Sequence, residues 1–220
     1  MLNYFYIFDP STKFFMLNWI SSILGIFLIP QIYWIKNSSI IHMIMLIINK
    51  LWGEFKMLLS IKFNYLNLFI FLSLMIMIFL NNFLGLFPFI FTSSSHMVFS
   101  LYLSLSIWIS LMIFGWLKNT NFMLIHLVPM NTPFILMFFM VIIETLSNLI
   151  RPLTLSIRLM ANMIAGHLLL TLLSSFIPSF YFYPIFLVTQ LMLLMLEYMV
   201  AFIQCYVFTI LLILYMKETN

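Results

Sequence analysis

Glu144-Thr145-Leu146-Ser147-Asn148-Leu149-Ile150-Arg151-Pro152-Leu153-Thr154-Leu155-Ser156-Ile157-Arg158-Leu159-Met160-Ala161-Asn162 is the stretch on which the fold turns. It lies within some 44 residues, between Pro133 and Pro178, that are nearly all compatible with helix. As one helix they would extend about 66 Å at 1.5 Å per residue, against a hydrocarbon core of about 30 Å. Such a helix must tilt strongly or bend; two helices broken at Pro152 are the alternative. At about 100° per residue, Glu144, Asn148, Arg151, Arg158 and Asn162 fall within an arc of roughly 80°. One polar stripe thus runs along an otherwise greasy helix. Arg158 is its sharpest feature, because arginine keeps its proton in proteins. A cation at membrane depth costs about 3 kcal/mol on insertion scales and more than ~10 in simulations of an isolated helix.

The rest of the chain has the same solvent. Of its 220 residues 65% are hydrophobic and 6% charged, with a mean hydropathy of +1.19. Soluble domains carry about a quarter charged residues, so this chain lacks an ordinary water-facing surface. Its apolar runs of about 20 residues favour helices over membrane-barrel strands, which alternate apolar and polar over ~10. The expected fold is an all-α integral membrane protein, one membrane domain over residues 1–220. Five crossings are expected at about 14–35, 65–87, 98–117, 134–177 and 184–216, the last two long and strongly tilted. Residues 38–62 read as an amphipathic helix lying in the interface, because Lys50, Glu54 and Lys56 interrupt an apolar pattern. A poor sixth crossing is the alternative there.

Five crossings put the termini on opposite sides. Lys36, Lys50, Lys56, Lys62, Lys118 and Lys217 then share one side, and Lys13 lies on the other. That bias places the N-terminus outward and the C-terminus inward. The segment Met1 to Pro10 has no basic n-region and no small-residue cleavage site, and is no Arg- and Ser-rich transit peptide. Synthesis at the membrane of insertion is the expectation, and 26 Phe and 19 Met would suit an AT-rich organelle genome. Cys205 has no disulfide partner in the chain. No internal repeat suggests an inverted-repeat transporter. His42, His96 and His126 read as loop or interfacial residues, with no paired axial ligands for a haem. There is no phosphate loop, metal pattern or nucleophile triad. No cofactor, metal or nucleic-acid partner is expected, and no covalent chemistry.

What remains is a set of polar groups at membrane depth. Glu144 can neutralise Arg151, seven residues away. Arg158 has no such neighbour, for Glu144 is 14 residues off, about 21 Å along a helix. Its counter-charge must come from the last helix, from water or from another subunit. The last helix carries Glu197 and Gln204 on one face. His167, at the far end of the striped helix, is the natural partner of Glu197 if the two helices pack antiparallel. A buried His–carboxylate pair can exchange protons near neutral pH; a static ion pair is the alternative.

At these residues the chain resembles a known family. Ile143-Glu144 through Arg151-Pro152, then Leu155-Ser156-Ile157-Arg158 through Asn162 to Ala165-Gly166-His167, is similar to the signature of the a subunits of F-type ATP synthases, in their animal mitochondrial form. Phe8-Asp9-Pro10-Ser11-Thr12, Asn81-Asn82-Phe83 through Pro88, and Gln204-Cys205-Tyr206-Val207-Phe208 also fit, so the resemblance covers essentially the whole chain. One departure is Leu153, where relatives often have Gly or another small residue.

The resemblance implies a stator subunit beside a rotating ring of small c subunits, each with a mid-membrane carboxyl group. It implies two aqueous half-channels that load and unload those carboxyls, coupling proton flow to ATP synthesis. Arg158 matches the family's essential arginine between the half-channels. His167 and Glu197 match a pair whose residue types are swapped in bacterial relatives, Gln204 a glutamine near the arginine, and Glu144 an acid on the exit-side path. Asn148, Arg151 and Asn162 join them as candidate lining. The implied partners are the c-ring, peripheral-stalk and other membrane-sector subunits, protons and the lipid bilayer; the implied location is the mitochondrial inner membrane. On that basis the N-terminus faces the intermembrane space and the C-terminus the matrix. A secondary transporter or ion channel is the first alternative class. A non-translocating anchor of a respiratory complex is the other, and it leaves Arg158 and the His167/Glu197 pair unexplained.

Overall fold

The structure, a computed structural model, describes residues 4–11, 15–31, 33, 36, 38–59, 65–87, 89–128, 133–175 and 183–219. Lys13, Trp34, Lys62, Pro88 and Pro178 lie outside them, as do parts of the expected segments 14–35 and 38–62. Among the described residues all regular structure is helical: α1 (Ser21–Phe27), α2 (Ser39–Leu59), α3 (Tyr65–Gly85), α4 (Met97–Lys118), α5 (Thr120–Leu127), α6 (Phe134–Ser175) and α7 (Tyr183–Thr219). Short 3-10 turns stand at Tyr4–Phe8, Leu17–Ile20 and Ser93–Ser95.

Four helices, among the described residues, are long and apolar enough to cross a membrane: Leu66–Gly85, Met97–Lys118, Leu136–Ser175 and Tyr183–Thr219. The first of the five expected crossings is shorter, an apolar helical run only from Leu17 to Phe27. Gly25 explains its close seat on α3. A Cβ at that position would stand 3.1 Å from Leu80 Cβ.

The 42 residues of α6 form one helix that runs through Pro152 without a break. Proline removes the N–H that would serve the carbonyl of Asn148. Nearby hydroxyls bond the helix's own backbone: Ser147, Thr154 and Ser156 donate to the carbonyls of Glu144, Arg151 and Leu153. With α7 at 37 residues, the two helices measure about 63 and 55 Å by the standard rise.

The core joins α2, α3 and α7. Phe55 and Leu59 of α2, Leu68, Phe71, Met75 and Ile78 of α3, and Phe208, Leu212, Ile213 and Met216 of α7 are all buried together. The hydroxyl of Tyr206 donates to Glu54 Oε2 at 3.0 Å and pins α2 to α7. The most extensive helix pairing is α4 on α6. Ser100 and Ser104 of α4 and Ser156 of α6 are fully buried. Small side chains let two backbones approach without a hydrophobic driving force between them.

Between α6 and α7 the packing is antiparallel. Arg151 meets Glu218, Asn162 meets Gln204, and Gly166 meets Glu197, so the chain rises along one helix as it falls along the other. The buried stripe of α7 includes Glu197, Ala201, Gln204, Cys205 and Phe208. Recurrence every three to four residues is what places both polar groups of α7 on its inward face.

Candidate functional site

Arg158 sits near the middle of α6 with its side chain on the exposed face. Among the described residues no carboxylate lies within ion-pair distance of it. Thr154, Ile157, Ala161, Asn162 and Ala165 beside it are exposed too, while Leu155, Ser156 and Leu159 turn inward. The cation therefore stands on an uncovered face of mixed small, polar and aliphatic residues rather than in the core.

Toward the C-terminal end of α6, Asn162 Nδ2 donates to Gln204 Oε1 at 3.1 Å. Both line a cavity of about 270 Å³ that also receives Asn82 and Glu197. Glu197 is only 8% exposed, and neither of its oxygens has a protein partner; the same holds for both amide atoms of Asn82 and for Gln204 Nε2. Buried polar atoms are nearly always hydrogen-bonded, and the cavity beside these has room for water to partner them.

Gly166 brings Glu197 against α6. A Cβ there would lie 3.0 Å from the Glu197 Cδ. His167 is level with Glu197 but about 100° further around the helix. It lines a neighbouring open cavity of about 650 Å³ instead, and its Nε2 is buried without a partner. Among the described residues no ion pair joins His167 to Glu197. The antiparallel packing makes them neighbours across the Gly166 backbone, not a bonded pair.

On the N-terminal side of Arg158, Arg151 is held on three sides. It pairs with Glu144 at 3.9 Å, bonds Glu218 at the end of α7, and lies 5.2 Å from the ring centre of Tyr215. Asn148, Arg151, His126 and Glu218 line a cavity of about 210 Å³ there. The stripe is thus split: Asn148 and Arg151 face one cavity with Glu144 paired to Arg151, Asn162 faces another, and Arg158 stands exposed between them. Two groups were not singled out from the sequence. Asn82 stood only within the Asn81-Asn82-Phe83 stretch, and Glu218 carried no reading. The one signal for Asn82 was an amide pair, Asn81-Asn82, at the end of an apolar run. No three metal-ligating side chains converge among the described residues.

Comparison with known proteins places this arrangement. The family described as ATP synthase A chain matches residues 15–217. The chain is 51% identical to ATP synthase subunit a of Drosophila melanogaster over the whole of both chains. It is 49% identical to ATP synthase subunit a of Anopheles gambiae, again over both whole chains. With that of Locusta migratoria it shares 50% over 99% of each. The chain belongs to the ATP synthase A chain family. As a member it is a multi-pass membrane protein that translocates protons for ATP synthesis and carries out no catalysis of its own.

Proposed function

We propose that the cavities on either side of Arg158 are the inlet and outlet of the proton path, and that Arg158 separates them. The observation that carries this is Arg158, exposed in the single chain and without a carboxylate partner among the described residues, placed between two cavities lined in part by polar side chains at different levels of α6. Protons arrive by way of His167 and the Glu197–Asn82–Gln204 cavity, and leave by way of Asn148, Arg151 and Glu144. The partner missing from Arg158 is a carboxyl group on a rotating c-ring seated on the exposed face of α6. A fixed cation lowers the pKa of an approaching carboxyl and favours its deprotonation. The same charge repels a proton moving directly from one cavity to the other. The carboxyl turns into lipid only when reprotonated, because a bare charge there is too costly. Each proton passing down the potential yields about 2.3 kcal/mol per 100 mV.

The setting is the mitochondrial inner membrane, with peripheral-stalk and other membrane-sector subunits as neighbours and residues 1–220 as one membrane domain. The two long helices incline along the ring, since about 60 Å of helix cannot stand upright in 30 Å of hydrocarbon. A fifth crossing runs through α1. Ser22, Gly25 and Ile29 share a groove with Ser73, Met77 and Asn81, so α1 descends alongside α3. Lys118 and Lys217 close α4 and α7 at one common end. The lysine bias makes that end the matrix side and puts the N-terminus in the intermembrane space.

The test is passive proton conductance through the membrane sector after removal of the catalytic head, with assembly checked on native gels. His167→Leu and Glu197→Leu should each slow conductance by about 10²-fold, the scale on which a lost proton-transfer group is felt. Wild-type conductance in both assembled variants would move the inlet elsewhere.

A further inference from the structure

The N-terminal segment returns to the mouth of the inlet. Its turn Tyr4–Phe8 packs on α6, and the Phe8 ring meets the His167 ring edge-on at 6.1 Å between centres. The next residue, Asp9, lines the same open cavity of about 650 Å³ as His167, together with Ser11, Asn18 and Gln190. We infer that Asp9 is part of the proton inlet: a fixed carboxylate that concentrates protons in the vestibule from which His167 is loaded. Sequence alone gave this segment no such role.

The local geometry separates the charge from the turn. Ser11 N–H donates to Asp9 Oδ1 at 3.0 Å, and Asn18 Nδ2 donates to the Asp9 carbonyl at 3.4 Å. The first is an Asx-type turn, which asparagine makes as well as aspartate. The second uses only backbone. Nothing in the turn therefore requires a charged residue. The other titratable groups lining the cavity, among the described residues, are Tyr6 and His167. The bond from Ser11 holds the Asp9 carboxyl below its usual range, so it stays ionised at neutral pH and acts as a fixed charge rather than a relay. A single-signed charge at a cleft mouth raises the local concentration and arrival rate of counter-ions, and salt screens the effect. Phe8 is the positioning residue: its seat on His167 sets where the neighbouring carboxylate stands.

This role rests on His167 being the loading residue, and the experiment separates the two. Assembled complexes carrying Asp9→Asn, Asp9→Glu or His167→Leu are compared with wild type for passive proton conductance, at about 10 mM and about 1 M salt. Asp9→Asn should conduct about 2- to 3-fold less than wild type at low salt, and the ratio should close to one at high salt, where the Debye length is about 3 Å. Asp9→Glu should follow wild type at both. If His167→Leu slows conductance and Asp9→Asn matches wild type at both salts, the role of Asp9 falls alone. If His167→Leu conducts normally, the inlet itself is misplaced and Asp9 falls with it. A loss of assembly in Asp9→Asn, with Asp9→Glu assembling normally, would also overturn the proposal, because the charge would then be structural.

Discussion

Gly166 shows how much one missing atom can decide. With no side chain of its own, it lets the carboxylate of Glu197 lie against the backbone of α6, next to His167. Adding a methyl group puts a Cβ 3.0 Å from Glu197 Cδ, so the carboxylate must move. Gly166→Ala should therefore leave the chain inserted and assembled but reduce proton conductance by about 3- to 10-fold, as misplaced transfer groups do. Conductance equal to wild type would mean that the position of Glu197 does not limit the flux. Residues of this kind divide by how local their cause is. Arg158 was legible because a permanent charge in an apolar run is conspicuous without any partner. Glu197 and Gln204 were legible because seven residues is nearly two turns, which fixes a shared face. The separation of His167 from Glu197 was not legible. It depends on the rotation of two helices about their axes, which sequence spacing within one helix does not set.

At the scale of elements, α6 and α7 are tied at two places along their contact. The Asn162–Gln204 hydrogen bond makes one tie. Arg151 makes the other, between Glu144, Glu218 and Tyr215. Glu218 comes from the end of the chain, 67 residues from Arg151, and no periodicity connects positions so far apart. The continuity of α6 was likewise ambiguous from sequence. Pro152 argues for a break in water, but in a membrane a break would leave more backbone groups unsatisfied than the one carbonyl that proline frees. The Arg151 latch is partly exposed, with side chains 28% and 44% accessible, so its contribution is small, about 0.5–1 kcal/mol after screening. Glu218→Ala should accordingly loosen only the last turns of α7. Hydrogen exchange at Tyr215 to Thr219 should speed up by about 2- to 5-fold, while exchange at Ala201 to Phe208 stays unchanged. Equal acceleration along all of α7 would contradict a local latch.

For the whole molecule, composition announced a helical membrane protein, and the four long apolar helices follow from runs of uninterrupted hydrophobic sequence. The first segment was the least legible part. Gly25 lets its helix sit close to α3, and glycine contributes no hydrophobic signal. The fifth crossing proposed through it also bears on orientation. Impermeant amine reagents should label Lys118 and Lys217 in inverted vesicles, and Lys13 in mitoplasts. Labelling of Lys13 and Lys118 from the same face would remove the fifth crossing.

The division of the molecule into two cavities with a cation between them rests most heavily on Arg158. In assembled complexes carrying Arg158→Ala, ATP synthesis driven by a proton gradient should fall by at least ~100-fold, about 2.7 kcal/mol. Passive proton leak through the membrane sector should persist, because the barrier between the cavities is gone. Arg158→Lys should fail largely as well, since a compact, strongly hydrated ammonium does not replace a planar guanidinium. Synthesis at the wild-type rate in assembled Arg158→Ala complexes would contradict the separation of the two cavities by this residue.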